Sequence, residues 1–464
     1  MAATSKVSAM PLPAASTMQV APPEWRVTII EEGSSVKIEH EFGPARRAYL
    51  AISTKASTIV KMLWRMGADD PRKVVHGLKV GFALAVVSLF YYLRPLYDGV
   101  GGAAMWAVMT VVVIFEYTVG GSLYKGLNRA AATLTGGGLA VGVHYIASKT
   151  DEAWELVILN SSVFILASVV TFSRFVPAIK RRFDYGATIF ILTFSLVAVS
   201  GYRVDQLVNL AQQRLSTIAI GISICLMVCM LICPVWAGSD LHCLIIKNMD
   251  KLAESLEGCV EEYFSGKEAQ KARGYKCVIN SKLSEDSLAN LAAWEPAHGP
   301  FGFRHPWSQY QQVGAAMRSC AYCIEALHSS SHSEIQAPEL MKRHLSEACI
   351  KLSSKSSGAL KELSACMECM QSSECLSDMV KEMKEAVEEV KSAMKSLPTQ
   401  CNNELGLEKD DDNMVMKRQS LMESMPLVTF VSLLMEISVK VEGVVEAVEK
   451  LGGLAEFKPS GSKF

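Results

Sequence analysis

Between residues 74 and 235 the sequence contains six strongly apolar stretches joined by short connections. Each is close to the roughly 20 residues that a helix needs to cross the hydrocarbon core of a bilayer. They run over 74–93, 104–119, 129–147, 156–175, 185–200 and 215–235. A helix satisfies its own backbone polar groups inside the bilayer. The series therefore predicts an all-α membrane protein with six transmembrane helices.

The composition agrees with a membrane class. Half of the 464 residues are hydrophobic, and the mean hydropathy is positive at +0.21. The formal net charge of −1 gives no reason to expect a nucleic-acid partner. The first 65 residues lack the basic start and apolar core of a secretory signal. We therefore expect the chain to enter the membrane through its first internal span.

Three regions are predicted. Residues 1–70 form a cytosolic N-terminal segment with an amphipathic helix from about Ala48, suited to a membrane surface or to packing on another domain. Residues 71–236 form the six-helix pore domain. Residues 237–464 form a cytosolic helical domain with a mobile polar loop near 398–425.

The cytosolic domain is predicted from repeated helical periodicity, with charged residues opposite apolar ones. The predicted helices cover about 240–264, 283–293, 309–328, 338–371, 373–395 and 426–451. No strand is predicted in any part of the chain.

The connections between the spans indicate the orientation. One side, together with the N-terminus, carries most of the basic residues: Arg72, Lys73, Lys125, Arg174, Lys180, Arg181 and Arg182. The other side mixes basic with acidic residues: Arg94, Lys149 and Arg203 with Asp98, Asp151, Glu152, Glu155 and Asp205. Basic residues are enriched on the cytosolic side, so both termini are predicted to be cytosolic.

Four cations at the spans are the candidate anion-binding residues: Lys79, Arg129, Arg203 and Arg214. A charge inside a membrane helix costs roughly 3 kcal/mol on insertion scales, so such residues are usually functional. The alternative is that each side chain reaches back to the interface. Arg129 and Arg214 are the preferred pair because both precede apolar, small-residue helix segments, where a positive helix terminus adds to the charge.

The remaining motifs indicate structural roles rather than catalysis or metal binding. No motif for an enzyme or a cofactor is present, and Glu116 is expected to pair with a basic neighbour. The motif WEPAHGPFGFRHPW contains His298 and His305, but it reads as a rigid turn between helices rather than as a metal site. The two CxxC pairs, at 320–323 and 366–369, lie in helical sequence and are interpreted as reduced thiols rather than a zinc ribbon.

Several of these stretches closely resemble the plant aluminium-activated malate transporters. They are GLKVGFALAVVSLFYYLRPLYDGVGGAAMWAVMTVVVIFEYTVGGSLYKGLNR, RFDYGATIFILTFSLVAVSGYR, CPVWAGSDLH and WEPAHGPF, in matching order. The resemblance implies a homodimeric anion channel with six spans per subunit and a helical cytosolic domain. It also implies that Arg129 of GLNR and Arg214, which opens the sixth span, line the pore.

The resemblance further implies an extracellular cation site for aluminium. Asp98 and Asp205 match acidic positions of that site, whereas Asn209 stands where an activated member has another acid. Hard cations prefer carboxylate oxygens, so we expect weak aluminium sensitivity or none.

The predicted function is therefore a passive, malate-permeable anion channel, with lipid and a second subunit as partners. The plasma membrane is the favoured location, with the vacuolar membrane as the alternative. A rival function is a proton-coupled organic-acid exporter, for which only Glu116 and His144 would serve as proton carriers. A third is a membrane-anchored interaction protein.

Overall fold

The computed structural model describes residues 25–28, 37–40, 44–92, 104–200, 204–266, 270–332, 337–404 and 414–459. These residues fall into two compact units, which divide between Leu78 and Lys79. The first unit contains a short antiparallel pair, β1 (Trp25–Thr28) and β2 (Lys37–His40), in which Trp25 lies opposite His40. The prediction that the chain has no strands is therefore wrong, although helices dominate.

The N-terminal amphipathic helix is present as α1 (Pro44–Asp69), and α2 (Pro71–Tyr92) follows it. In α1 the apolar side chains Ile52, Ile59 and Trp64 are all exposed within the unit. This exposure is compatible with both predicted roles of the helix, on a membrane surface or against another domain.

The apolar region of the second unit contains five further helices. They are α3 (Ala104–Ile114), α4 (Val119–Ala147), α5 (Glu152–Ser173), α6 (Pro177–Ser200) and α7 (Val204–Leu231). In the part of the chain that the structure describes, four helices are long and apolar enough to span a membrane, and these are α4 to α7. The six-span prediction is thus confirmed for four helices.

The second predicted span, 104–119, differs most from the structure. Its helix α3 ends at Ile114 after 11 residues, about half the length that a full crossing needs. The chain breaks there because Thr118 caps the next helix, with its hydroxyl accepting a hydrogen bond from the Gly121 N–H at 3.2 Å. As a result α4 begins at Val119, ten residues before the predicted start.

The helices after Val235 share one large hydrophobic core. They are α8 (Ala237–Ser265), α9 (Tyr275–Ile279), α10 (Lys282–Ala292), α11 (Trp307–Ser331), α12 (Glu339–Cys369), α13 (Leu376–Glu404) and α14 (Met414–Leu454). Two-residue strands β3 (Gln371–Ser372) and β4 (Lys458–Pro459) pair in parallel. We call residues 237–459 the C-terminal bundle.

The bundle forms because each helix buries one apolar face. Leu241, Ile245, Met249, Leu252 and Leu256 recur every three or four residues along α8, and all are fully buried. Helical structure also extends into both ends of the predicted loop at 398–425, since α13 continues to Glu404 and α14 begins at Met414.

Candidate anion site and its junction with the C-terminal bundle

Arg129 is buried between α4 and α6. It is the eleventh residue of α4, not the first residue of a span as the sequence predicted, and only 6% of it is exposed. Its Nη1 donates a hydrogen bond to the Tyr185 hydroxyl at 3.4 Å, and its Nε is buried without a partner. The guanidinium group therefore keeps a buried donor free for an acceptor such as an anion.

Small residues allow α4 and α6 to approach closely around this arginine. A Cβ on Gly136 would lie 3.0 Å from the Phe190 carbonyl oxygen, and one on Gly186 would lie 2.7 Å from Oδ1 of Asn128. Glycine at these positions permits backbone contact between membrane helices.

Arg214 lies in α7, which begins at Val204, eleven residues before the predicted start of the sixth span. The guanidinium carbon sits 4.5 Å from the centre of the Trp106 ring, a cation–π contact with α3. Its Nε is also buried without a hydrogen-bond partner. Arg214 thus resembles Arg129 in its buried, unpaired Nε, but it is less buried as a whole and belongs to a different helix pair.

The two arginines lie at different depths. Helices α4 and α7 run antiparallel, because Ser122 contacts Cys229 at 3.7 Å while a Cβ on Gly126, one turn later, would lie 3.4 Å from Ile222. Extended along both helices, these contacts separate the levels of Arg129 and Arg214 by about 8–12 Å at 1.5 Å per residue. An anion moving along these helices would meet them in succession.

Lys79 has a backbone partner at the end of α7. It is 2% exposed, and its ammonium group donates a hydrogen bond to the Cys233 carbonyl oxygen at 2.8 Å. Cys233 follows the end of α7 and has a positive φ of 41°. A cation at a helix C-terminus stabilises the unpaired carbonyls there, so Lys79 closes the end of α7.

For the other predicted site residues the structure describes no side-chain contacts. Asp98 and Arg203 lie outside the described residues, and Asp205 and Asn209 are described only as part of the α7 backbone.

A belt of charged pairs lies at the end of α4 and α6 nearest the bundle. Glu116 forms an ion pair with Lys125, which confirms its predicted basic partner. Arg174 binds Asp184 through two hydrogen bonds of 2.8 and 3.2 Å. These carboxylates neutralise neighbouring cations, whereas no described residue forms an ion pair with Arg129 or Arg214.

Glu295 joins the apolar helices to the bundle, and sequence reasoning missed it. Its carboxylate accepts hydrogen bonds from the backbone N–H groups of Gly120, Ala237 and Gly238 at 3.1, 2.7 and 3.0 Å. These groups lie in the first turns of α4 and α8, where N–H groups lack partners within the helix. One side chain therefore caps two helices, and the positive ends of both stabilise its charge.

Aromatic rings surround this junction. The Trp236 and His298 rings stack at 3.9 Å, and Trp294 meets Tyr124 edge-on at 5.6 Å. The Arg182 guanidinium lies 5.6 Å from the centre of the Trp294 ring. The WEPAHGPFGFRHPW motif is therefore a rigid turn, as predicted, but one that contacts the apolar helices.

Burial alters the titration of the groups at the junction. It raises the pKa of Glu295, although the three N–H donors and His298 act in the opposite direction. It lowers the pKa of His305 to about 4, helped by the neighbouring His242 and His298. Burial lowers the pKa of His242 as well, so His242 and His305 are neutral at neutral pH, in keeping with a packed turn.

Among the residues whose side chains the structure describes, the cysteines of the two CxxC pairs do not come together in one group. Cys320 and Cys366 are buried, and the twelve cysteines whose side chains the structure describes are all unbridged. None of them belongs to the single three-residue group of potential metal ligands among the described residues.

Comparisons with known proteins give the class. A family model described as "Aluminium activated malate transporter" matches residues 64–410. Aluminum-activated malate transporter 10 of Arabidopsis thaliana is 46% identical, over 97% of both chains. Aluminum-activated malate transporter 2 of the same plant is 44% identical over 87% of this chain and 79% of its own. Aluminum-activated malate transporter 1 of Triticum aestivum is 40% identical over 88% of each chain.

Apolar helices of membrane-spanning length, together with these matches, define an integral membrane protein of the transporter class and not an enzyme. More narrowly, the chain belongs to the aluminium-activated malate transporter family, because the family model covers residues 64–410 of its 464 residues.

Proposed function

We propose that this protein is a malate-permeable anion channel that conducts organic and inorganic anions passively across a plant membrane. The observation that carries the proposal is a pair of arginines, the buried Arg129 and the partly buried Arg214, each with a buried Nε that has no hydrogen-bond partner. A buried donor without a partner is rare in folded proteins and calls for an explanation. A carboxylate bound to guanidinium provides one, since the two groups match in charge and shape.

The separation of the arginines along α4 and α7 supports conduction rather than tight binding. Two weak sites at successive depths allow an anion to enter at one and leave from the other. Arg214 contacts only an aromatic ring among its described partners, so its charge stays available without a fixed counter-ion. The family resemblance adds a homodimer, which would double the positive charge along the path.

The proposed orientation places both termini and the C-terminal bundle in the cytosol. The contact between Arg182 and Trp294 joins the basic N-terminal part of α6 to the bundle, so both lie on the same side. Basic connections are enriched on the cytosolic side of membranes, which supports a cytosolic bundle. The plasma membrane is the proposed location and the vacuolar membrane the alternative, which imaging of the tagged chain in plant cells distinguishes.

One observation favours the rival, a proton-coupled exporter. His144 is 3% exposed within α4, and its Nδ1 is buried without a hydrogen-bond partner. A buried histidine near neutral pH is a candidate proton carrier. Glu116 is a weaker candidate because it is already paired with Lys125.

Current recordings separate the two functions. Malate, chloride and nitrate are exchanged on one side of a membrane containing the protein, at two values of pH and with or without aluminium. A channel gives a reversal potential that follows the anion gradient and ignores pH. A reversal potential that moves with pH, and stops moving in His144→Asn, would establish the exporter instead.

Replacing Arg214 tests the proposed pore. Arg214→Ala removes a partly buried cation, so malate current is expected to fall at least about tenfold, the loss that corresponds to about 1.4 kcal/mol of anion stabilisation. Arg214→Lys keeps the charge and is expected to retain part of the current. Arg343→Ala, an exposed arginine of the bundle, serves as the control. Unchanged malate current in Arg214→Ala at equal surface expression would remove this residue from the pore.

A further inference from the structure

A group of two histidines and one glutamate lies in the bundle, far along the chain from the candidate anion site. His328 is in the last turn of α11, His332 directly follows that helix, and Glu262 is in the last turn of α8. One nitrogen of each histidine and one oxygen of the carboxylate all lie within 4.8 Å of one another. Each of the three side chains thus offers one metal-ligand atom to the same small space.

The hydrogen bonds of His332 prepare it as a ligand. Its Nδ1 lies 3.0 Å from the His328 carbonyl oxygen and 3.0 Å from the Ser331 hydroxyl oxygen. Because the carbonyl only accepts, this contact favours the tautomer with the proton on Nδ1. The Nε2 lone pair then points to Glu262, whose Oε1 is 3.3 Å away. Metal-bound histidines are oriented by the same kind of N–H bond to a carbonyl.

Two lone pairs that face each other at this distance repel unless a cation lies between them. Two ligands on a tetrahedral Zn²⁺, with bonds of about 2.0–2.1 Å, are themselves about 3.3 Å apart. The observed separation of His332 and Glu262 therefore matches that of two zinc ligands. A proton shared between them, as in an ordinary ion pair, is the competing explanation.

His328 supplies the argument against a simple ion pair. Its Nε2 is buried and has no hydrogen-bond partner, and its ring centre is 4.7 Å from that of His332. A pair formed by His332 and Glu262 alone leaves this nitrogen unsatisfied. A metal ion bound by His332, Glu262 and the Nε2 of His328 would give this nitrogen a partner.

Some features around these three residues favour a bound cation, and others oppose it. The C-termini of α8 and α11 meet here, and the partial negative charge of both helix ends favours a cation. Burial lowers the pKa of His328, and the nearby His332, Arg273 and Lys276 lower it too, while Glu262 acts in the opposite direction. The neutral imidazole is the form that binds a metal. Arg273 and Lys276 weaken a cation site, so only a firmly ligated ion would overcome them.

We propose that Glu262, His328 and His332 form a Zn²⁺ site that ties the end of α8 to the end of α11. Two imidazoles and one carboxylate suit zinc, and the fourth position is open to water because about half of the His332 side chain is exposed. The ion would hold the C-terminal ends of α8 and α11 together on one face of the bundle. The site is independent of the proposed anion channel.

The test measures zinc binding to the full-length protein purified in detergent. Zn²⁺ alone is titrated at pH 7.5 in competition with a chromophoric chelator, on the wild type, His332→Ala and Glu262→Gln. Both variants are expected to lose one zinc equivalent or to bind it at least about tenfold more weakly. His344→Ala, which removes another histidine of the bundle that is hydrogen-bonded to Ser396, is expected to bind like the wild type.

Co²⁺ spectra distinguish this site from adventitious binding to cysteines. Wild-type protein is expected to show visible bands of a low-coordinate Co²⁺ that disappear in His332→Ala, without the near-ultraviolet bands of Co²⁺ bound to thiolates. The proposal is overturned if the wild type binds no zinc, or if His332→Ala and Glu262→Gln bind as much zinc as the wild type. It is also overturned if the cobalt bands persist in both variants.

Discussion

Two histidines contact the same tyrosine hydroxyl at the turn that connects α10 to α11. His305 lies 3.3 Å from the Tyr310 hydroxyl through Nε2, and His242 contacts the same hydroxyl at 3.0 Å through Nδ1. Both imidazoles are thus held around one phenol, close to His298 and Phe301. A positive charge on either ring would be poorly solvated, which is why burial lowers the pKa of both.

This arrangement predicts acid sensitivity. In the unfolded chain His305 takes up a proton near pH 6.5, whereas in the folded chain its pKa is about 4. Between these values the unfolded state binds more protons, so the free energy of unfolding decreases as the pH is lowered. His242 acts in the same direction.

The midpoint of thermal unfolding of the purified protein, measured from pH 7.5 to pH 4.5, checks this prediction. His305→Gln keeps a polar partner for Tyr310 but cannot titrate, so its stability should decline less with falling pH than that of the wild type. His344→Gln should decline as the wild type does. Identical declines for the wild type and His305→Gln would contradict the argument.

Among the helices, α4 combines the candidate anion site with the junction. Its first turn donates an N–H to Glu295 and packs against α10, where a Cβ on Gly120 would lie 2.3 Å from the Leu291 carbonyl oxygen. Such a distance is shorter than any real contact of a Cβ, and a backbone carbonyl cannot move aside alone. Only glycine fits at this position, since α4 and α10 touch there through their backbones.

Gly120→Ala is therefore expected to separate α4 from α10 and to weaken the hydrogen bond to Glu295. Overpacking of this kind typically costs about 1–3 kcal/mol, and thermal unfolding in detergent should show a lower midpoint. Gly142→Ala is the matched control in the same helix, because a Cβ there meets nothing within 4 Å. It is expected to be neutral or to stabilise by up to about 1 kcal/mol. Equal stability of Gly120→Ala and the wild type would contradict the close backbone contact between α4 and α10.

At the scale of the whole molecule, the helical bundle was the most predictable part. The helix predicted over 240–264 is Ala237–Ser265, because a regular apolar period fixes both the type of element and its buried face. The starts of α4 and α7 were predicted ten and eleven residues too late. Hydropathy treats polar residues as borders, yet Thr118 caps a helix that continues through several of them.

The candidate site was predictable in its residue types but not in its partners. Arg129 and Arg214 stand out in the sequence because a cation is rare among apolar residues. Their depths, and the contact of Lys79 with a carbonyl, depend on where the helices end. Glu295 gave no signal, because its partners are backbone N–H groups that any sequence would provide. Glu262 and His332 are 70 positions apart and form no motif.

The orientation of the whole chain can be tested with two single thiols. Cys277 is exposed in the bundle, and Ser148→Cys would lie just beyond the far end of α4, a helix of 29 residues and hence about 43 Å long. With the other exposed cysteines replaced by serine, an impermeant maleimide should label residue 148 in intact cells and Cys277 only after permeabilisation. Labelling of both from the same side would contradict the proposed topology.

The carboxylate of Glu295 also fixes one end of α4, so that a tilt of this helix would pivot about that end. Its hydrogen bonds hold the first turn of α4 against the first turn of α8, so this end is the fulcrum. Arg129 lies ten residues away, about 15 Å along the axis. A tilt of about 10° around the fulcrum would therefore move Arg129 sideways by about 2.6 Å, close to the diameter of a water molecule. A tilt of this size would therefore change the distance between Arg129 and Tyr185, its hydrogen-bond partner in α6.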